Sequence, residues 1–301
     1  MSTIGRREPA LLAIFSVACA AVTAQTQAPS RVSTSISISV AARAVQPGEL
    51  VLLKIKTPAN TQSVRVSGID REFPAFSESP TEWRALVGID LDVKAGRYDL
   101  SVVAGPAGTD QMTYRLIVAP KKFATRQLTV DPAFVNPPAE AQARIQADAE
   151  RLNRVWASSS PVRLWSGKFV RPVEAPANSA FGTRSVFNGE PRSPHGGADF
   201  SSLPGTPVAA PNAGRIVVAA DLYFTGNTVV IDHGLGLFSL FAHLQSMDVK
   251  EGDTVVTGQV VGKVGATGRV TGPHLHWTVR VNDARVDPMS LLAVLGQTTR
   301  N

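Results

Sequence analysis

The chain has 301 residues, 44% of them apolar, enough for one large or two ordinary domains with buried cores. Its formal net charge of +6 favours anionic partners, yet it holds no run of Lys and Arg, no aromatic pattern of RNA-binding type and no paired-cysteine zinc-finger spacing, which excludes a nucleic-acid role. One cysteine, Cys19, excludes a disulfide framework.

Arg6 and Arg7 precede the apolar run from Ala10 to Val22, too short to span a bilayer, and Val22-Thr23-Ala24 offers a small-x-small cleavage site. This predicts a secretory signal peptide over residues 1–24. Cleavage removes Arg6, Arg7, Glu8 and Cys19, leaving a net charge of +5, no cysteine and no transmembrane segment. Export to the periplasm is expected. Release to the medium, or a lipid anchor on Cys19, is the lesser reading, since Ser16 stands where lipidation sites favour Leu. The anionic polymers met outside the cytoplasm are cell wall and membrane surface.

Residues 31–120 alternate with period two in the runs Ser35 to Val40, Leu53 to Lys56, Val64 to Val66, Tyr98 to Val102 and Tyr114 to Val118. Turn signals at Gln46-Pro-Gly48, Lys94-Ala-Gly96 and Gly105-Pro-Ala-Gly108 separate them, predicting an immunoglobulin-like β-sandwich. No catalytic constellation lies in it. Asp90-Leu-Asp92 misses a calcium loop, because Gly96 falls one place late and Lys94 replaces an acidic ligand, and is read as exposed charge on a strand.

Residues 121–167 read as a linker with one amphipathic helix. Pro137-Pro138 suit its start, Ile145, Ala149, Leu152 and Trp156 form an apolar stripe for docking on a neighbour, and Ser158-Ser-Ser-Pro161 ends it. Residues 168–293 then change to short glycine-bounded strands without a long helix, the pattern of a β-barrel or sandwich, and 294–301 read as a polar tail.

Chemistry concentrates in this last part, which holds all five histidines. In His274-Leu-His276 the alternation of a strand puts both imidazoles on one face. His195 and Asp199 stand four residues apart across Gly196-Gly197, where the glycines are expected to let the backbone turn. With His276 they make a His, Asp, His set of the kind zinc accepts without cysteine, leaving a fourth position for water. Zinc lowers the pKa of such a water to about 7 and polarises a carbonyl. His243 and His274 remain to move a proton and to stabilise an oxyanion. His233, at a strand end before a glycine turn, is assigned to structure. There is no His-Glu-x-x-His helix and no Gly-x-Ser-x-Gly elbow, Gly258 to Val264 fails as a phosphate loop, and Ser166-Gly-Lys168 is an ordinary loop.

Pro194-His-Gly-Gly-Ala-Asp199, Gly226 to Gly234, Phe241-Ala-His-Leu244 and Gly265 to Trp277 resemble the successive motifs of the lysostaphin-type zinc metallopeptidases that cut peptidoglycan. The resemblance covers about residues 168–293. It implies one zinc ion on His195, Asp199 and His276, with His243 and His274 as flanking catalytic residues, and a two-sheet β domain with an open groove. Phe241 stands where the family often has Tyr, which leaves a phenol hydroxyl without a counterpart.

The expectation is therefore a mainly β protein: an N-terminal immunoglobulin-like sandwich, a linking helix and a C-terminal antiparallel metallopeptidase domain. Its expected function is zinc-dependent hydrolysis of peptide bonds in peptidoglycan stem peptides or cross-bridges. A non-catalytic wall-binding module that activates other wall hydrolases is the rival. A purely structural metal is a third reading, disfavoured because three ligands including a carboxylate suit an open site.

Overall fold

Alternation builds the first lobe. The computed structural model describes residues 36–105, 110–129, 137–177 and 181–296, so the expected signal peptide and residues 297–301 of the expected tail lie outside the described residues. Strands β1 (Ser37–Ala42), β2 (Leu50–Lys56), β3 (Val64–Gly68), β4 (Arg71–Ser79), β5 (Glu82–Gly88), β6 (Gly96–Ala104) and β7 (Asp110–Val118) pair antiparallel in the order β1-β2-β5-β4-β3-β6-β7. The path folds over at β4, whose first half pairs with β3 and whose second half pairs with β5. Pro74 sits at that changeover, where a missing N–H interrupts neither ladder's interior. Val51, Leu53, Ile55, Val66, Phe73, Val87, Leu100, Val102 and Leu116 fill the space between the layers.

The linker gives β8 (Thr125–Leu128), a 3₁₀ turn (Ala139–Ala141) directly after Pro138, and α1 (Gln142–Trp156). Only the last turns of α1 dock through apolar contacts, with Leu152, Val155 and Trp156 on Val218, Val230, Phe238, Leu240 and Ala242. Ala149, expected in the stripe, is exposed. The earlier turns reach the sheet by polar contacts instead: Arg144 pairs with Asp221, and Asp148 accepts from the Tyr223 amide.

The second lobe follows: β9 (Arg184–Phe187), β10 (Glu190–Pro191), β11 (Gly197–Phe200), β12 (Pro207–Ala209), β13 (Gly214–Leu222), β14 (Gly226–Gly234), β15 (Leu237–Met247), β16 (Thr254–Val255), β17 (Val260–Val264), β18 (Leu275–Val281), β19 (Ala284–Val286) and α2 (Pro288–Leu295). The hairpin β9–β10 takes linker strand β8 as a parallel neighbour. The main sheet runs β11-β18-β15-β14-β13-β16, with β19 on β18 and β12 on β17. Along one edge of β15, Leu237 to Ala242 pair with β18 whereas Leu244 to Met247 pair with β17. The sheet therefore divides into two branches, and the residue at the division is His243.

Helix α2 was not foreseen, and it takes residues 294 and 295 out of the expected tail. Its start carries a readable signal: Asp287 caps the Met289 amide and Pro288 opens the first turn.

The lobes meet over an extended seam. Leu50, Leu52 and Leu86 belong to the second lobe's core, with Val281, Ala284, Val286 and Leu291, so β2 is buried on both faces. At Gly88 the strands come so close that a Cβ would lie 2.8 Å from that of Ala284. Asp90 is not an exposed strand charge: it lies just after β5, is 8% exposed, and accepts from the Arg285 guanidinium at 2.6 Å. Arg43 binds both Glu49 and Asp287 at 2.7 Å, and the Leu50 amide donates to Ser290 Oγ at 2.9 Å. The described residues of both lobes belong to one compact unit.

Candidate metal centre

Strand β18 alternates strictly between buried and half-buried residues. Leu275, Trp277 and Val279 enter the core, leaving His276 and Thr278, with His274 just before the strand, on the other face. Asp199 on β11 is the direct antiparallel partner of His276, which puts the two side chains on one face at contact distance. His195 precedes β11 by two residues and reaches the same spot.

Gly197 is what lets them converge. It does not supply the expected turn, since neither Gly196 nor Gly197 has a positive φ. It is extended within β11, and a Cβ there would lie 2.8 Å from the His276 ring and 2.5 Å from the Trp277 carbonyl. The missing side chain is the space the imidazole fills.

Three atoms meet in a triangle. His276 Nδ1 lies 2.9 Å from Asp199 Oδ1, His195 Nε2 lies 3.1 Å from the same oxygen, and the two nitrogens are 3.0 Å apart. Such spacing is close to that of ligands sharing one small cation at about 2.0 to 2.2 Å from each. The donor set fits a metal in its chemistry as well. His276 turns its other nitrogen to Thr278 Oγ1 at 2.9 Å, the kind of outer partner that orients a ligating imidazole. Burial alone would raise the Asp199 pKa, but hydrogen bonds from His195 and His276 outweigh it and hold the carboxyl well below its usual range. Burial pushes the His276 imidazole down, favouring the neutral form a metal requires. Among the described residues this is the one cluster of three His, Asp, Glu or Cys side chains arranged to hold an ion.

His243 and His274 stand beside the triangle. Their rings are 5.0 Å apart between centroids, His243 is 6.0 Å from the His276 ring, and His274 Nε2 lies 3.8 Å from Asp199 Oδ1. Each directs Nδ1 at a backbone carbonyl, His243 at Thr267 and His274 at Gly272, both at 2.9 Å. A carbonyl only accepts, so Nδ1 carries the hydrogen, and in the neutral ring Nε2 keeps a lone pair. Burial first, then the neighbouring His276 and His274, push the His243 pKa down to about 4, so it is neutral near pH 7. His233 lies outside the group, fully buried between the Ala213 carbonyl and Ser239 Oγ.

The residues that sequence reasoning missed are those behind the imidazoles: Thr278, Thr267 and the carbonyl of Gly272. Thr278 carried a signal, since it is two places after His276 on the same strand face. The Thr267 contact carried none, because it joins a loop to a strand 24 positions earlier.

A family profile described as Peptidase family M23 matches residues 193–288. The segment is 41% identical over 96 residues to the peptidoglycan DD-endopeptidase ShyB of Vibrio cholerae, covering 32% of this chain and 22% of that protein. It is 43% identical over 97 residues to the DD-carboxypeptidase/endopeptidase Mpg of Neisseria meningitidis, with the same 32% and 22% coverage. The match thus spans about a fifth of the length of these curated relatives. A crystal structure described as a peptidase M23 from Pseudomonas aeruginosa is similar with 33% identity and a TM-score of 0.67, over 84% of this chain and 97% of that one, so this likeness takes in both lobes.

Proposed function

Because the chain belongs to peptidase family M23, we propose that it is an exported zinc-dependent endopeptidase acting on the peptides of peptidoglycan. The observation that carries this reading is the triangle of His195 Nε2, Asp199 Oδ1 and His276 Nδ1 with the imidazoles of His243 and His274 beside it. His195, Asp199 and His276 would hold the zinc. Bound there, the ion would make water nucleophilic near neutral pH and polarise the scissile carbonyl.

The remaining chemistry belongs to His243 and His274. Each holds its Nδ1–H on a backbone carbonyl and leaves Nε2 to the reaction. One takes a proton from the attacking water and returns it to the leaving nitrogen, the general base becoming the general acid. The other stabilises the oxyanion. Relatives named DD-endopeptidases make a bond between D-residues the first candidate for cleavage. The net charge of +5 expected after signal cleavage suits an anionic wall polymer, and no described helix is long and apolar enough to cross a membrane.

The test is digestion of purified peptidoglycan by the protein lacking residues 1–24, with and without chelator and zinc add-back, the fragments read by mass spectrometry. Chelator-sensitive release of cleaved cross-links is expected. Intact peptidoglycan in the presence of zinc-loaded protein would overturn the reading in favour of a wall-binding or regulatory module.

A further inference from the structure

His243 is the extra residue of a β-bulge. Asn227 pairs with Leu244 and Val229 with Phe241, so Thr228 alone faces both Ala242 and His243. There β15 leaves β18 for β17, and the backbone of His243 takes a φ of +63°, a left-handed conformation that is strained for a non-glycine residue. Such a residue keeps its place only where its surroundings fix it. Its amide donates to the Thr225 carbonyl at 2.8 Å, and its ring donates to the Thr267 carbonyl at 2.9 Å.

Thr267 stands in the segment from Gly265 to His274 that links β17 to β18. Its hydroxyl accepts from the Asn227 amide at 2.9 Å and donates to the Leu244 carbonyl at 2.9 Å. Asn227 and Leu244 are the ladder pair next to the bulge, so one side chain joins the two strands where their own bonding is interrupted. The fit is close: a Cβ on Gly226 would lie 2.3 Å from Thr267 Oγ1, and one on Gly268 would lie 2.4 Å from the Gly226 nitrogen.

We propose that Thr267 is a positioning residue of the catalytic site: its hydroxyl pins the loop to the bulge, which keeps its own carbonyl on His243 Nδ1 and reserves Nε2 for the proton taken from water. The proposal rests on His243 being a proton-accepting residue of the peptidase. With the loop released, the His243 ring loses the acceptor that fixes its tautomer and its rotation. The proton then has no single nitrogen to enter, while the ligands His195, Asp199 and His276 keep their own contacts.

Thr267→Val matches the side chain in shape and removes the hydroxyl, whereas Thr267→Ser restores it. In zinc-loaded protein, nitrogen NMR of the His243 ring is expected to show one Nδ1-protonated tautomer in wild type and T267S and a mixture in T267V. On peptidoglycan fragments, T267V is expected to lose roughly 10- to 100-fold in kcat with zinc content and KM unchanged, and T267S to recover most of it. A single wild-type tautomer in T267V, or a T267S variant as impaired as T267V, overturns the proposal. Should T267V fail to fold, Thr267→Ala is read in the same way. The tautomer is measured without turnover, so a wild-type protein inactive on peptidoglycan would refute the peptidase reading and still leave the hydroxyl's effect on the ring to be read.

Discussion

At the seam between the lobes, buried charges find their counterparts within the chain. Arg43 meets Glu49 and Asp287, and Arg285 meets Asp90 and Asp92. Burial would raise the pKa of Glu49 and of Asp90, but Arg43 and Arg285 outweigh it and hold both below their ordinary values. At the candidate metal centre, by contrast, the carboxylate of Asp199 meets imidazoles, and His195 Nδ1 is buried without a hydrogen-bond partner. The seam is electrostatically closed and the centre is open. In a closed set each buried charge is offset by a partner within the chain; an open one is suited to hold an ion.

Separating the lobes is the most severe way to break this comparison. Residues 168–301 alone would expose the surface that Leu50, Leu52 and Leu86 cover, so this fragment is expected to lack cooperative unfolding by circular dichroism. A fragment that folds and cleaves like the full chain would show the seam to be dispensable. Next in size is Asp199→Ala, expected to abolish zinc retention and cleavage together while denaturant unfolding of the metal-free protein changes little. Metal analysis beside a digestion assay checks it. Leu86→Ala should do the reverse, costing about 2 to 5 kcal/mol in urea unfolding with zinc content and kcat unaltered.

The smallest expected effect is on pH dependence. Burial pushes the His233 pKa down from 6.5 to about 4, so on acidification the unfolded chain takes up a proton before the folded one does. Stability is then complete above about pH 6.5 and declines as the pH falls towards 4. The seam carboxylates, held below their ordinary range, keep their contribution until lower pH. Unfolding midpoints across this window should fall less steeply in His233→Gln than in wild type, and equal slopes would remove His233 from the account.

Local pattern made the site legible. The alternation of β18 and the His-x-x-x-Asp spacing are short-range and single out His274, His276, His195 and Asp199, whereas His243 lies in Phe241-Ala-His-Leu244 and all five meet through the pairing of β11, β15 and β18. The outer contacts escaped because they join distant segments: Thr267 to His243, or β8 to β9 through a four-residue strand. In the first lobe β4 and β5 went unread. Only Phe73 is fully buried in Arg71-Glu-Phe-Pro-Ala-Phe-Ser-Glu-Ser79, and its Pro74 reads as a strand breaker until the changeover between two partners accounts for it. Asp90 was misread for the same reason, since its partner Arg285 lies 195 positions away.

The double burial of β2 also sets an order of events during synthesis. Its inner face, Val51, Leu53 and Ile55, can close as soon as β7 has been made. Leu50 and Leu52 on the outer face wait for strands and a helix near the far end of the chain, with Ser290 lying 240 positions after Leu50. Until those last elements arrive, the outer face is an apolar surface without a cover, the kind on which nascent chains associate wrongly. The first lobe can thus close a core of its own well before its outer face finds a cover.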